Sequence, residues 1–218
     1  MIEIKDCSKS FEKNVLNNIS LTIQKNKFAV LKGLSGSGKS TLLNIIAGIL
    51  KPDKGSIKIN NTDITFFNDS QISKFRNENI AYIRQTQGLV HWLNIMDNLE
   101  LPFYISPEKN DNEIQQRSIA EASEKFDLTN ILKKFPEKIS GGQYQRASIA
   151  ASIIKSQPII LADEPTNNLD KKNIKILIDM FEHFKNSKTI IVVSHIDIFD
   201  YLADIILTIE NGKITDAQ

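Results

Sequence analysis

The chain has 218 residues, 41% of them hydrophobic and 24% charged, with a formal net charge of +1 at pH 7. That length buries a sizeable interior, and the charge balance lacks the basic footprint that nucleic acid or an acidic membrane surface would call for. The single cysteine, Cys7, excludes an internal disulfide and fits a reducing cytosol.

In chain order, Met1–Lys5 shows no apolar run and no small-residue cleavage site, so no signal peptide is expected. The first third alternates like strands: Ile2–Lys5, Ile19–Ile23, then Phe28–Leu31. Directly after the third strand comes Gly33-Leu34-Ser35-Gly36-Ser37-Gly38-Lys39-Ser40, which matches G-x-x-x-x-G-K-[ST] and precedes a helical run, Thr41–Ile49. The glycines let successive backbone N–H groups turn inward toward phosphate oxygens, and the helix that follows adds the positive end of its dipole. Lys39 is placed to supply a point charge to the outer phosphates, and the Ser40 hydroxyl can ligate Mg²⁺.

Pro52–Gly55 signals a turn before a short strand, Ser56–Asn60, and a further strand is predicted over Ile80–Arg84. Asp111–Lys134 is polar and reads as helical, with Ile114, Ile119, Ala122 and Phe126 as its apolar stripe. The longest apolar stretches, such as Ala147–Ile154, fall short of the roughly 20 residues of a membrane helix. Ile159–Ala162 is a buried strand that runs into two acids, Asp163 and Glu164. Ligands of a parallel sheet gather at the carboxyl ends of its strands, so Asp163 is a candidate for Mg²⁺ and Glu164 for a proton acceptor. Ile174, Leu177, Ile178, Phe181 and Phe184 mark one face of a helix, and Thr189–Val193 is another continuous apolar strand. The pattern implies an α/β domain with a mostly parallel sheet and a helical lobe inserted at roughly residues 86–157.

Ile139-Ser140-Gly141-Gly142-Gln143 narrows this generic triphosphatase. It resembles the Leu-Ser-Gly-Gly-Gln signature of ATP-binding-cassette ATPases, and it precedes a predicted helix, Tyr144–Ser156. Its physical logic is a second anion site, small residues ahead of a helix N-terminus, with Ser140 also suited as the cap. The resemblance runs across nearly the whole chain. It implies a P-loop, RecA-like core, an N-terminal antiparallel β part and an inserted helical subdomain. Residues 1–218 would form one nucleotide-binding domain, with core lobes 1–85 and 158–218 and helical subdomain 86–157.

The resemblance also implies the site. ATP would contact Gly33, Ser35, Gly36, Ser37, Gly38, Lys39, Ser40 and Thr41. Phe11 resembles the aromatic that stacks on adenine, and ordinary packing is its other reading. Gln85 looks like the glutamine that senses the γ-phosphate and Mg²⁺, alongside Ser40 and Asp163. His195 resembles the switch histidine, and with Glu164, Lys39 and Gln85 it completes the catalytic set. Pro165–Asp170 resembles the loop that crosses the dimer interface. Ser140, Gly141, Gly142 and Gln143 would meet the ATP held by another copy. A head-to-tail homodimer, or a pair with a paralogue, is therefore expected, with two ATP molecules sandwiched between subunits.

Gln85–Val90 and Asp97–Phe103 look like the subgroup of macrolide exporters, lipoprotein-release ATPases and bacteriocin exporters. That subgroup pairs with a separate transmembrane permease, which would hold this chain at the cytoplasmic face. Leu89, Val90, Trp92 and Leu93 are candidates for the gripping surface, with burial in the helical lobe as the alternative. Three residues depart from the pattern: Ile139 in the signature, Arg84 before the glutamine, and Ala151 where an arginine is common. The resemblance leaves open a cassette that regulates a membrane partner, of the cell-division type, instead of transporting.

Overall fold

The computed structural model describes residues 1–84, 88–105, 111–167 and 169–217. Its centre is a six-stranded sheet. The strands β3 (Phe28–Lys32), β6 (Ile80–Ile83), β7 (Ile159–Asp163), β8 (Thr189–Val193) and β9 (Ile205–Glu210) are parallel, in the order β9-β3-β8-β7-β6. β10 (Lys213–Ala217) adds an antiparallel edge against β9. A second sheet is antiparallel, ordered β2-β1-β4-β5, from β1 (Ile2–Ser10), β2 (Asn14–Ile23), β4 (Lys54–Ile59) and β5 (Thr62–Asp63). The α/β class, the mostly parallel sheet and the N-terminal antiparallel part all stand as expected from sequence.

Period-two alternation along the central strands sorts their side chains onto two faces. Phe28, Val30, Ile160, Ala162, Ile190 and Val192 face one core, which they share with α3 (Ile95–Tyr104), α5 (Gly141–Ile153) and α6 (Lys171–Phe184). Phe181 of α6 anchors it, edge-on to both Phe28 and Phe199 at centroid separations of 5.7 and 5.5 Å. Ala29, Leu31, Leu161, Ile191 and Val193 face the other core, shared with α1 (Lys39–Ile46) and the antiparallel sheet. Helices α1 and α5 therefore lie on opposite faces of the central sheet.

Several elements differ from expectation. α5 starts at Gly141, three residues before the expected Tyr144 and directly after the cap read at Ser140, so the Gly-Gly-Gln of the signature forms the first helical turn. A capping box makes this start favourable despite two glycines: Ser140 Oγ accepts from the Gln143 N–H (3.3 Å), and Gln143 Oε1 accepts from the Ser140 N–H (3.0 Å). α4 (Asn112–Lys125) ends well before Lys134, and two residues beyond its end Asp127 has a left-handed φ of 53°. Ile114 is exposed rather than part of the buried stripe, because it lies five residues before buried Ile119 and points away from it. α2 (Asp69–Asn79) and the β9–β10 hairpin were not anticipated. The hairpin had a signal, Asn211-Gly212, with both residues at positive φ as a tight two-residue turn requires. Among the described residues no helix is long and apolar enough to cross a membrane.

Candidate nucleotide site

The phosphate loop leaves β3 at Lys32 and enters α1 at Lys39. Gly33 has φ 143°, and a Cβ there would stand 2.2 Å from the carbonyl oxygen of Ile209 on β9. Glycine is demanded here by both backbone and space. Gly38 caps α1 at φ 109° and brings no side chain to the helix end, whereas Asn68, Asn94, Asp111, Ser140 and Asp170 each cap their helices through a side-chain oxygen. The first N–H groups of α1 are thus left for an anion.

Lys39 is buried, and its Nζ donates to the carbonyls of Gly33 and Leu34, both at 2.8 Å. Ser35 and Gly36 are exposed at the loop tip, Ser37 is buried and Thr41 is half-buried. A cavity of about 450 Å³ borders this loop, lined also by Lys13, Val15 and the Asn211-Gly212 turn.

The carboxylates stand beside the loop because β7 and β3 both flank β8, and all three strands end at one level: Asp163 pairs with Val193, and Val193 with Leu31. Ser40 Oγ donates to Asp163 Oδ1 at 3.0 Å, so loop and strand end meet through hard oxygen atoms. Burial pushes the Asp163 carboxyl above its ordinary range. The Ser40 hydrogen bond opposes that shift, and the neighbouring Glu164 charge adds to it. This pair fits Mg²⁺, which takes few protein oxygens and retains water.

Glu164 has φ 45°, a left-handed backbone. Its N–H donates to the Val193 carbonyl at 3.0 Å. Its Oε1 lies 3.3 Å from Nδ1 of His195, which leaves β8 on the adjacent strand. The Asn167 amide donates to Oε2. The structure thus brings Lys39, Ser40, Asp163, Glu164 and His195 together at one end of the sheet. Asn167 was missed as a partner of Glu164, although it lies within the Pro165–Asp170 loop singled out from sequence.

Phe11 lies in the β1–β2 turn, 59% exposed, so the packing reading fails and its ring faces solvent beside the Lys9 ammonium, 5.6 Å from the ring centroid. Gln85, Thr86, Gln87 and Asn168 lie outside the described residues. Ser140–Gln143 does not join the Lys39 cluster: it begins α5, on the far face of the sheet from α1. Trp92 is 79% exposed while Leu89 is buried, which divides the proposed apolar surface. The loop bearing Trp92 is pinned by buried Asn98, whose Oδ1 accepts from Val90 N (2.7 Å) and whose Nδ2 donates to the carbonyls of Val90, Leu93 and Asn94.

Comparison with known proteins agrees with this geometry. Residues 16–167 match the family profile described as ABC transporter. The chain belongs to that family. It is 37% identical over 208 residues to the lipoprotein-releasing system ATP-binding protein LolD of Buchnera aphidicola subsp. Schizaphis graminum, covering 94% of this chain and 90% of that one. It is 35% identical to the ABC transporter ATP-binding protein YtrE of Bacillus subtilis, covering 90% and 89%. It also matches, at 35% identity, a putative ABC transporter ATP-binding protein of Mycoplasma pneumoniae, the MG065 homolog; there all of this chain spans only 48% of the relative. Among solved structures, the dimeric post-hydrolysis state of the ATP-binding cassette MJ0796 bound to ADP and Pi superposes with TM-score 0.91 at 30% identity, covering 100% and 98% of the two chains. The fold is that of a P-loop ABC ATPase domain.

Proposed function

We propose that this ABC cassette hydrolyses ATP between two copies arranged head to tail and passes the motion to a separate membrane permease. The opposite placement of α1 and α5 carries the reading. The uncapped α1 N-terminus and the exposed Gly141 that opens α5, on opposite faces of one sheet, serve one triphosphate only if a second copy supplies the other half. The dimeric cassettes among the structural relatives support it. Residues 1–218 act as one nucleotide-binding domain, with 86–157 as its helical part.

In the proposed reaction ATP lies on Gly33–Thr41 with its base on Phe11. Lys39 Nζ gives up the carbonyls of Gly33 and Leu34 for the β- and γ-phosphate oxygens. Water attacks the γ-phosphorus in line. Glu164 orients it and accepts its proton, His195 steadies the carboxylate and the γ-phosphate, and ADP departs. Ser40 and Asp163, with water and Gln85, would hold Mg²⁺, which supplies charge neutralisation across the phosphate oxygens when bound. Ser140–Gln143 of the partner closes over the γ-phosphate.

For the permease, the exposed Trp92 on its pinned loop is the anchor. The loop is tied to α5 through the Leu89 N–H, which donates to the Tyr144 hydroxyl at 2.9 Å, one residue beyond Gln143. Beside it lies a groove of about 310 Å³ between Leu89, Leu101, Pro102, Ile105, Ala151 and Arg84. The cassette then sits at the cytoplasmic face of the membrane. The likeness to the lipoprotein-releasing protein supports export of a lipoprotein, peptide or drug-like molecule. The deciding experiment is Glu164→Gln in Mg-ATP. Turnover is expected to fall at least about a hundredfold, and size exclusion with light scattering should show an ATP-bound dimer. Normal hydrolysis, or a variant that stays monomeric with the permease supplied, would overturn the reading.

A further inference from the structure

Arg146 lies in the second turn of α5 and is only 7% exposed. Its guanidinium is shared among three places. Nε donates to the Phe126 carbonyl at 2.8 Å, Nη2 to Asp127 Oδ2 at 3.3 Å, and Nη1 to Asn173 Oδ1 at 2.9 Å. Asn173, 4% exposed, is in the first turn of α6. Its backbone N–H donates to Oδ1 of Asp170, the α6 cap and last residue of the Pro165–Asp170 loop, at 2.8 Å.

The other end of the same amide meets the signature. A Cβ on Gly142 would stand 2.6 Å from Asn173 Nδ2. An exposed amide would swing aside, but this one is buried and its oxygen is held by Arg146. Gly142 does not have a positive φ, so its backbone conformation does not demand glycine. What its missing side chain provides within the chain is room for Asn173.

We propose that Asn173 is the positioning residue of the signature segment. Its amide sets how closely the start of α5 approaches the start of α6. Through Arg146 and Asp170 it ties the start of α5 to the start of α6, so Ser140–Gln143 and Asp170 reach the mate together. This inference rests on the head-to-tail reading above. It predicts that loss of the amide oxygen leaves a buried guanidinium N–H unpaired, which a shift of the α5 start relieves. ATP held by the same chain's Lys39 loop would be untouched.

The test is made in the Glu164→Gln background, with Mg-ATP titrated while dimer is followed by light scattering. Nucleotide affinity of the monomer is measured in parallel at dilute protein. Asn173→Ala should raise the ATP concentration for half-dimerisation about tenfold, with monomer affinity changed less than about twofold. Asn173→Asp, which keeps the shape and the acceptor for Arg146, should restore dimerisation to within about twofold. Should the alanine variant be insoluble, Asn173→Ser, too short to reach Arg146, replaces it with the same expectation. A parent that never dimerises would sink the head-to-tail reading itself. A parent that dimerises while the folded Ala or Ser variant does so at the same ATP concentration, or an Asp variant as defective as Ala, would overturn the role of Asn173 alone.

Discussion

Glu164 occupies a left-handed backbone that costs a non-glycine residue about 1–3 kcal/mol. The Val193 carbonyl, His195 and Asn167 hold it there. No reading of residue types would have assigned the amide of Asn167 to that carboxylate, because the contact exists only after the chain turns sharply at Glu164. Lys39, Ser40 and Asp163 were readable for the opposite reason: a spacing along the chain and an acid at a strand end define them before any packing is known. Asp163 also carries a prediction. Burial raises its carboxyl pKa, so between the ordinary carboxylate range and the raised value the folded state holds more protons than the unfolded chain. Stability of the nucleotide-free protein then falls as pH climbs through that window, and above it the buried charge is a standing cost. Asp163→Asn should therefore raise the neutral-pH melting temperature by about 2–4 °C while Mg-dependent turnover is lost; a lower melting temperature would contradict a net burial cost. Gly33→Ala should act in the other direction, costing more than about 2 kcal/mol in a urea melt, since its Cβ collides with the Ile209 carbonyl.

Among the elements, β3, β7 and β8 were recognisable because strands covered on both faces show unbroken apolar runs. α2 was not, since only Ile72 of its eleven residues is buried and it shows almost no apolar stripe. The start of α5 was read both at Tyr144 and directly after a Ser140 cap, and the fold takes the second, because a capping box offsets the low helix propensity of the two glycines. That box can be tested in isolation. Ser140→Ala should cost about 1 kcal/mol and lower the melting temperature by about 2–4 °C; an unchanged melting temperature would remove Ser140 from the cap.

For the molecule as a whole, the two-layer core was foreseeable from the unbroken apolar strands, but the side of the sheet on which each helix packs was not. The insertion of α3–α5 between β6 and β7 was legible as a helical lobe at roughly residues 86–157, but crossover handedness decides the side of the sheet, and it leaves no local mark. The same is true of Trp92, where composition allowed a core or a surface and only the fold exposes it. Trp92→Ala should keep the cassette's melting temperature and its own ATPase rate while weakening capture by the permease. A central anchor of this size is worth at least about 2 kcal/mol, or roughly thirtyfold in affinity. Equal recovery of permease from detergent extracts would place the anchor elsewhere.

The placement of α1 and α5 on opposite faces also has a kinetic consequence. If each copy is half of two reaction chambers, turnover of free cassettes scales with the square of their concentration, and a sparse population idles. Two cassettes tethered beneath one permease meet at an effective concentration set by their docking sites, not by their abundance. Hydrolysis would then be confined to assembled complexes without any dedicated inhibitor.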